Sequence, residues 1–228
     1  MSEEHDGLEG ETTRTALVSA AFELFAERGY DGATVADIAV RAGVGRRSFF
    51  RYFPTKEAVA FPDHEGTLAR MVAYLRESAQ DPDPVARACD AARLVMRMYA
   101  QNPEFSVRRY ALTREVTALR TYEKTVVWRY ERALASYLDQ RFATLPDGGI
   151  RAGVIAAGIV AAHNHGLRAW LRSGAHGDVA AAVDRALELV RRTWTDRGDP
   201  VVVIARPGTP AWRLVQEIET AHASDGRA

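Results

Sequence analysis

The stretch Thr34-Val35-Ala36-Asp37-Ile38-Ala39-Val40-Arg41-Ala42-Gly43-Val44-Gly45-Arg46-Arg47-Ser48-Phe49-Phe50-Arg51-Tyr52-Phe53-Pro54-Thr55-Lys56-Glu57 holds two short helical patterns separated by a glycine-containing turn. Thr34 stands where an N-cap belongs, and Asp37 three residues on completes a capping-box pair, so a helix runs from Val35 to about Arg41. Ala42 to Gly45 interrupt it, a second short helix follows through Arg46 to Phe53, and Pro54 closes the unit. Two helices of this size form a helix-turn-helix, whose second helix enters a major groove with its N-terminal residues against base edges.

The side chains suit that task. Arg46 and Arg47 open the second helix with planar forks that fit guanine or phosphate, and Ser48 can donate or accept at either. Gly45 stands at the cap of this helix, where glycine is tolerated, while Thr34 and Lys56 lie at the N-termini of flanking helices, where backbone N–H groups favour phosphate. Phe49 and Phe53, four apart, face the preceding helix; Phe50, Arg51 and Tyr52 are left for the duplex. Taken alone, a cation run is also what a solvated face looks like, and clustered aromatics what a core looks like. The coincidence of cap, turn and cations favours nucleic acid.

Charge distribution agrees with a local contact. The chain of 228 residues carries 30 basic and 30 acidic residues, so its formal net charge is zero. Between Arg41 and Lys56 stand Arg41, Arg46, Arg47, Arg51 and Lys56 without a carboxylate, whereas Glu3, Glu4, Asp6, Glu9 and Glu11 crowd the start. A positive patch on a neutral protein is the footprint of a restricted nucleic-acid interface.

Residues 1–11 read as a mobile tail. Ala16, Leu17, Ala20, Ala21, Leu24 and Phe25 recur at helical spacing through Thr12 to Arg28, and Gly29 ends that helix. Thr55 can cap a further helix beginning at Lys56 and Glu57, which Phe61-Pro62 breaks or kinks. Helical patterns then cover about 84–101, 103–116, 118–143, 150–173 and 178–197, separated by Asn102-Pro103, Pro146 to Gly149 and Ser173 to Gly177. Val201 to Ile204 is β-branched and predicts a short strand, and Pro210 to Ala223 a last helix packing through Trp212, Leu214, Val215 and Ile218. The expected fold class is all-α: a tail at 1–11, a three-helix helix-turn-helix domain at 12–60, a helical bundle at 61–198, and an extension at 199–228.

Residues 12–60, with the Ala42-Gly43-Val44 turn and the aromatics before Lys56, resemble the DNA-binding domain of the TetR/AcrR family of transcriptional regulators. Gly45 stands where that family usually has Ser, Phe50 where it often has Tyr and Tyr52 where it often has His, so a side-chain cap and one phosphate-binding hydroxyl are lost. The resemblance implies a repressor, with activation the alternative, that binds a double-stranded palindromic operator as a homodimer. It also implies that the bundle serves ligand binding and dimerisation, with a small-molecule effector held inside it and the last two long helices paired between subunits.

The residues permit this. Gly153, Ala157, Gly158 and Ala161 leave a helix face with little bulk, and Val183 and Leu187 belong to an apolar stripe nearby; packing within one chain would use the same residues. Between Phe105 and Leu138, Arg109, Tyr110, Tyr122, Trp128 and Arg129 would suit an apolar effector with a carboxylate or phosphate, the alternative being solvated arginines and bundle-filling aromatics. Leu112-Thr113-Arg114-Glu115 resembles a subgroup of actinobacterial regulators that includes the mycofactocin regulator, which implies an acyl-CoA effector.

Other classes fare worse. His163 and His165, two apart on a helix, point to nearly opposite sides and cannot easily share a metal ion. Cys89, the sole cysteine, lacks a nearby His and reads as a buried inert thiol. No phosphate-binding glycine loop or nucleophilic triad supports an enzyme, and no cofactor is expected. The acidic start lacks a signal peptide and the apolar run Ala152 to Ala162 is too short to span a bilayer, so a cytoplasmic protein without a membrane partner is expected.

Overall fold

The computed structural model describes residues 2–195. These form α1 (Ser2–Gly32), α2 (Val35–Arg41), α3 (Arg46–Tyr52), a 3-10 turn (Glu57–Ala60), α4 (His64–Glu77), α5 (Pro84–Gln101), α6 (Pro103–Glu115), α7 (Thr117–Arg141), α8 (Gly148–Arg172) and α9 (Val179–Thr195). The fold of the described residues is all-α, as expected. The strand at Val201–Ile204 and the helix after Pro210 lie outside the described residues.

Local signals place most boundaries. Asp83 accepts from the Ala86 N–H at 2.9 Å with Pro84 in the first turn of α5, and Asn102 accepts from the Phe105 N–H at 3.1 Å with Pro103 opening α6. Gly29 is non-helical (φ 73, ψ 166) and interrupts α1 where the sequence stops its first helix. Two expectations change. The backbone of residues 2–11, read as a mobile tail, continues α1. The helix expected from Lys56 is only the 3-10 turn, because Phe61-Pro62 follows within a few residues and a proline cannot supply the next N–H.

The helices bury two cores. The first joins Leu17, Leu24 and Phe25 of α1, Ile38 of α2, Phe49 and Phe53 of α3, Val59 of the 3-10 turn and Phe61, and is closed by Leu119 of α7 with Phe105, Leu112 and Tyr122 packed against it. The second fills the bundle of α4, α5, α7, α8 and α9 around Met71, Val95, Leu134, Ile159 and Leu187. Each fully buried large side chain contributes roughly 1.5–3 kcal/mol relative to exposure. Since α6 and the start of α7 lend side chains to the first core, the N-terminal unit is seated on the bundle through shared packing.

In the bundle, α8 and α9 meet at Gly166, where an added Cβ would lie 2.9 Å from the Val183 Cα. Val183 and Leu187 are completely buried inside the subunit. This corrects their assignment to a dimer interface: intrachain packing of α9 on α8 uses them. Gly158 likewise faces Val190, 3.8 Å from a built Cβ. Gly153, Ala157 and Ala161 stay exposed on α8, flanked by exposed Ile150 and Val154.

Candidate nucleic-acid interface and bundle cavity

Thr34 Oγ1 accepts from the Asp37 N–H at 3.1 Å while the Asp37 carboxylate accepts from the Thr34 N–H at 3.0 Å, a reciprocal box that starts α2. The Thr34 hydroxyl also donates to Asp37 at 2.6 Å, and these bonds hold the Asp37 carboxyl below its ordinary value. Gly43 has φ 71, a left-handed conformation only glycine adopts without strain, and it turns the chain from α2 into α3. α3 starts at Gly45 without a side-chain cap.

Helical geometry then sorts the side chains of α3. Phe49 and Phe53 point inward, fully buried with ring centroids 5.8 Å apart, and fix the helix against α1 and α2. On the opposite face Arg46, Arg47, Phe50 and Arg51 are exposed and Ser48 is half-buried. The Arg46 guanidinium sits 5.7 Å over the Phe50 ring. Neither Arg46 nor Arg47 has a carboxylate partner among the described residues.

The remaining members of the cation patch are occupied. Arg41 forms a two-pronged pair with Glu27, both bonds 2.9 Å, and a further contact to Glu23 at 3.3 Å. The hydrogen bonds of this cluster lower the Glu27 carboxyl pKa and raise that of Arg41. Lys56, expected at a phosphate, donates to the carbonyl oxygens of Tyr30 at 2.8 Å and Ala33 at 2.9 Å, leaving one of its three N–H groups. Tyr52, expected toward the duplex, is half-buried and accepts from Arg51 Nη2 at 2.9 Å, and a Cβ on Gly10 of α1 would lie 3.8 Å from its hydroxyl oxygen. The exposed cationic surface is therefore Arg46, Arg47 and Arg51.

The five side chains expected around an effector are not brought together. Trp128 is 55% exposed with Arg132 over its ring. Arg129 pairs with Glu65 through two bonds of 2.7 Å, and Tyr110 lies beneath Arg114. Tyr122 packs on Phe61 and, with Arg129, lines a crevice at the junction of the N-terminal unit and the bundle. Arg109 is buried, its guanidinium 4.3 Å over Tyr99 and 5.7 Å from both Phe61 and Phe105.

The bundle instead holds a narrow, mostly apolar cavity of about 40 Å³ between α4, α5, α7 and α8. His64, Tyr99, Glu123, Tyr130, His163 and Asn164 supply its polar wall. The sequence carries a signal for the two histidines: His64 continues the stripe Leu68, Met71, Leu75, and His163 the stripe Ala152, Ile155, Ile159. A polar residue in register with an apolar stripe is carried inward with it. Burial, with the nearby Arg109 charge second, holds the His64 pKa well below its ordinary value, and burial lowers that of His163 to about 4. His163 is buried and His165 exposed, so the two diverge as helical spacing requires. Cys89 is buried, its thiol pushed up to about 12 by desolvation. Among the described residues no group of His, Cys, Asp and Glu gathers to hold a metal ion, and no helix is long and apolar enough to cross a membrane.

The family of bacterial regulatory proteins, tetR type, matches residues 17–61, the segment that builds α2, the turn and α3. That match makes residues 17–61 a TetR-type N-terminal domain, and over this segment the chain is similar to TetR-family transcriptional regulators. MftR of Mycobacterium tuberculosis, named for regulation of mycofactocin biosynthesis, is 28% identical over 131 residues, which are 57% of this chain and just under two thirds (66%) of MftR. Among solved structures, a TetR-family regulator from Syntrophomonas wolfei superposes with a TM-score of 0.56 at 20% identity, covering 86% of this chain and 99% of the other. FadR of Thermus thermophilus, a TetR-family repressor solved with lauroyl-CoA, gives 0.51 at 21% identity over the same shares. These two likenesses establish that the TetR-family fold extends through the bundle.

Proposed function

We propose that this protein is a TetR-type, effector-controlled repressor that binds a palindromic DNA operator as a homodimer. One observation carries the reading: α3 is locked from behind by Phe49 and Phe53 while Arg46 and Arg47 stand exposed without carboxylate partners at its start. Two adjacent guanidinium forks at the first turn of a rigid helix suit guanine edges, with Ser48, Phe50 and Arg51 beside them. Thr34 and Gly45 place the N-termini of α2 and α3 where backbone N–H groups meet phosphate, and Lys56 keeps one N–H for the same purpose.

A single short recognition helix reads few base pairs, so two-fold related half-sites supply the remaining affinity. The exposed face of α8 with Ile150, Gly153, Val154, Ala157 and Ala161 suits an isologous contact, since small and apolar residues allow close approach of an identical helix. Effector binding in the bundle cavity shifts the population between arrangements that space the two recognition helices differently, and the coupling is reciprocal. The junction supports such coupling, because α6 and α7 share the core of the N-terminal unit.

The test is binding of the purified protein to DNA upstream of its own gene, titrated with salt against excess nonspecific competitor. Retained binding with a protected palindrome is the expected result. Loss of all preference under competitor, there and in a random-sequence selection, overturns the proposal.

A further inference from the structure

The polar wall of the bundle cavity is lopsided. Tyr99 and Tyr130 do not offer free donors, because both hydroxyls belong to a chain that His64 closes. The Tyr130 hydroxyl donates to the His64 carbonyl oxygen at 3.0 Å and lies 3.2 Å from His64 Nδ1, so it can only accept from that nitrogen. Nδ1 therefore carries the ring proton, and Nε2 accepts from the Tyr99 hydroxyl at 3.5 Å. Every proton of this chain is used.

What remains on the wall is an excess of acceptors. His163 is 6% exposed and its Nε2 has no hydrogen-bond partner. Its Nδ1 lies 3.4 Å from Asn164 Oδ1; with the amide in this orientation the ring proton sits on Nδ1 and Nε2 is left as a bare lone pair on a residue that lines the cavity. Glu123 lines the same cavity and forms no ion pair among the described residues. The surrounding wall is Met71, Val95, Val126, Leu134 and Val160. A buried acceptor without a donor is costly, and an occupant that supplies the donor removes that cost. Arg109, the nearest buried cation, lies on the faces of Tyr99, Phe61 and Phe105 and is not part of the wall.

Resting on the reading of this cavity as the effector site, we infer that the effector is an apolar molecule bearing a hydroxyl or amine N–H that donates to His163 Nε2 and Glu123. A carboxylate or phosphate would bring further acceptors against a wall that already has too many. An acyl-CoA whose anionic part had to enter this cavity is disfavoured for the same reason. The donor sets specificity; the apolar walls supply affinity.

The experiment is titration calorimetry of the full chain, without DNA, against one carbon skeleton with different ends: decanol, decylamine, decyl methyl ether, decanoate and decanoyl-CoA. Decanol or decylamine is expected to bind at least roughly tenfold tighter than the ether, the scale of one buried hydrogen bond. His163→Phe is expected to erase the preference of decanol over the ether, and His163→Gln, which keeps an acceptor, to retain most of it. Should the phenylalanine variant fail to melt cooperatively, Glu123→Gln serves instead and lowers decylamine affinity more than decanol affinity. Equal binding of ether and alcohol, tighter binding of decanoate or decanoyl-CoA, or no binding of either donor overturns the inference. Failure of the operator assay would instead strike the regulator reading and leave these affinities standing.

Discussion

The Lys56 ammonium lies 3.9 Å from the centre of the Tyr30 ring and donates to the carbonyl oxygen of that same residue at 2.8 Å. Tyr30 in turn donates its hydroxyl to Glu57 at 2.7 Å, so the residues just after Pro54 are tied to the end of α1 from two sides. Burial first, then the Glu57 bond, raises the Tyr30 pKa. This bracket fixes the C-terminal end of α3 relative to α1. Lys56→Met is expected to lower stability by roughly 1–3 kcal/mol by leaving two carbonyls short of a donor. Thermal unfolding checks it, and a melting temperature equal to the parent's would show the bracket to be idle.

The cations near α3 are expected to differ in weight. Arg46→Ala and Arg47→Ala each should cost about 1–3 kcal/mol of specific operator affinity and relax base preference at one position of each half-site. Arg41→Gln should cost less than either, because Glu27 and Glu23 already hold that guanidinium. Competition binding with a panel of operator variants separates base readout from phosphate contact. Unchanged preference in both alanine variants would remove α3 from the recognition surface.

Two glycines of α8 should respond oppositely. At Gly166 an added methyl meets the Val183 backbone at 2.9 Å, so Gly166→Ala forces α9 away and is expected to destabilise by roughly 1–3 kcal/mol. Gly158 has only Val190 side-chain atoms at 3.8 Å or beyond, so Gly158→Ala is expected to be neutral or to gain up to about 1 kcal/mol from helix propensity. Denaturant unfolding of both variants distinguishes them, and similar losses would contradict the packing of α9 on α8.

Acid should weaken the fold before its carboxylates titrate. His163 has a folded pKa of about 4 against an ordinary 6.5, and His64 is shifted in the same direction. The unfolded chain then binds the extra protons, so stability is full above about pH 6.5 and falls as pH drops toward 4, by at most roughly 3 kcal/mol for His163. Carboxylates with lowered values, such as Glu65, add their losses only below their ordinary 4.5. Unfolding free energy measured from pH 7 to 4.5 should slope downward, and His163→Gln should flatten part of that slope. A flat parent profile would mean that the imidazoles are hydrated.

Charge placed on the exposed face of α8 should separate subunits without unfolding them. Ala157→Glu is expected to shift the mass in solution from dimer to monomer and abolish specific operator binding while the melting temperature stays within a few degrees. Light scattering after size exclusion reads the first effect. A variant that remains dimeric would move the interface elsewhere on the molecule.

Short-range signals in the sequence encode the all-α class, most of the helix boundaries and the helix-turn-helix. Those features depend on signals within a few residues of each other: the Thr34–Asp37 box, the left-handed turn at Gly43, the prolines opening α5 and α6, and the spacing of Phe49 and Phe53. Local chemistry acts through the neighbouring turn of backbone, and a linear reading contains it. Tertiary structure alone decided which charges are free. Arg41 meets Glu27 of another helix, Lys56 the end of α1, and Arg129 meets Glu65 across the bundle. It also decided that Val183 and Leu187 pack inside the subunit and that His64, Tyr99, Glu123, Tyr130 and His163 converge from four helices on one cavity. Residues 64 and 163 are brought together only by the way α4 and α8 pack across the bundle, and no short-range pattern encodes a helix's neighbours. For that reason the aromatic and cationic density of α6 and α7 suggested a binding wall, whereas packing turned Trp128 outward and used Arg109 to bridge aromatic rings from three parts of the fold.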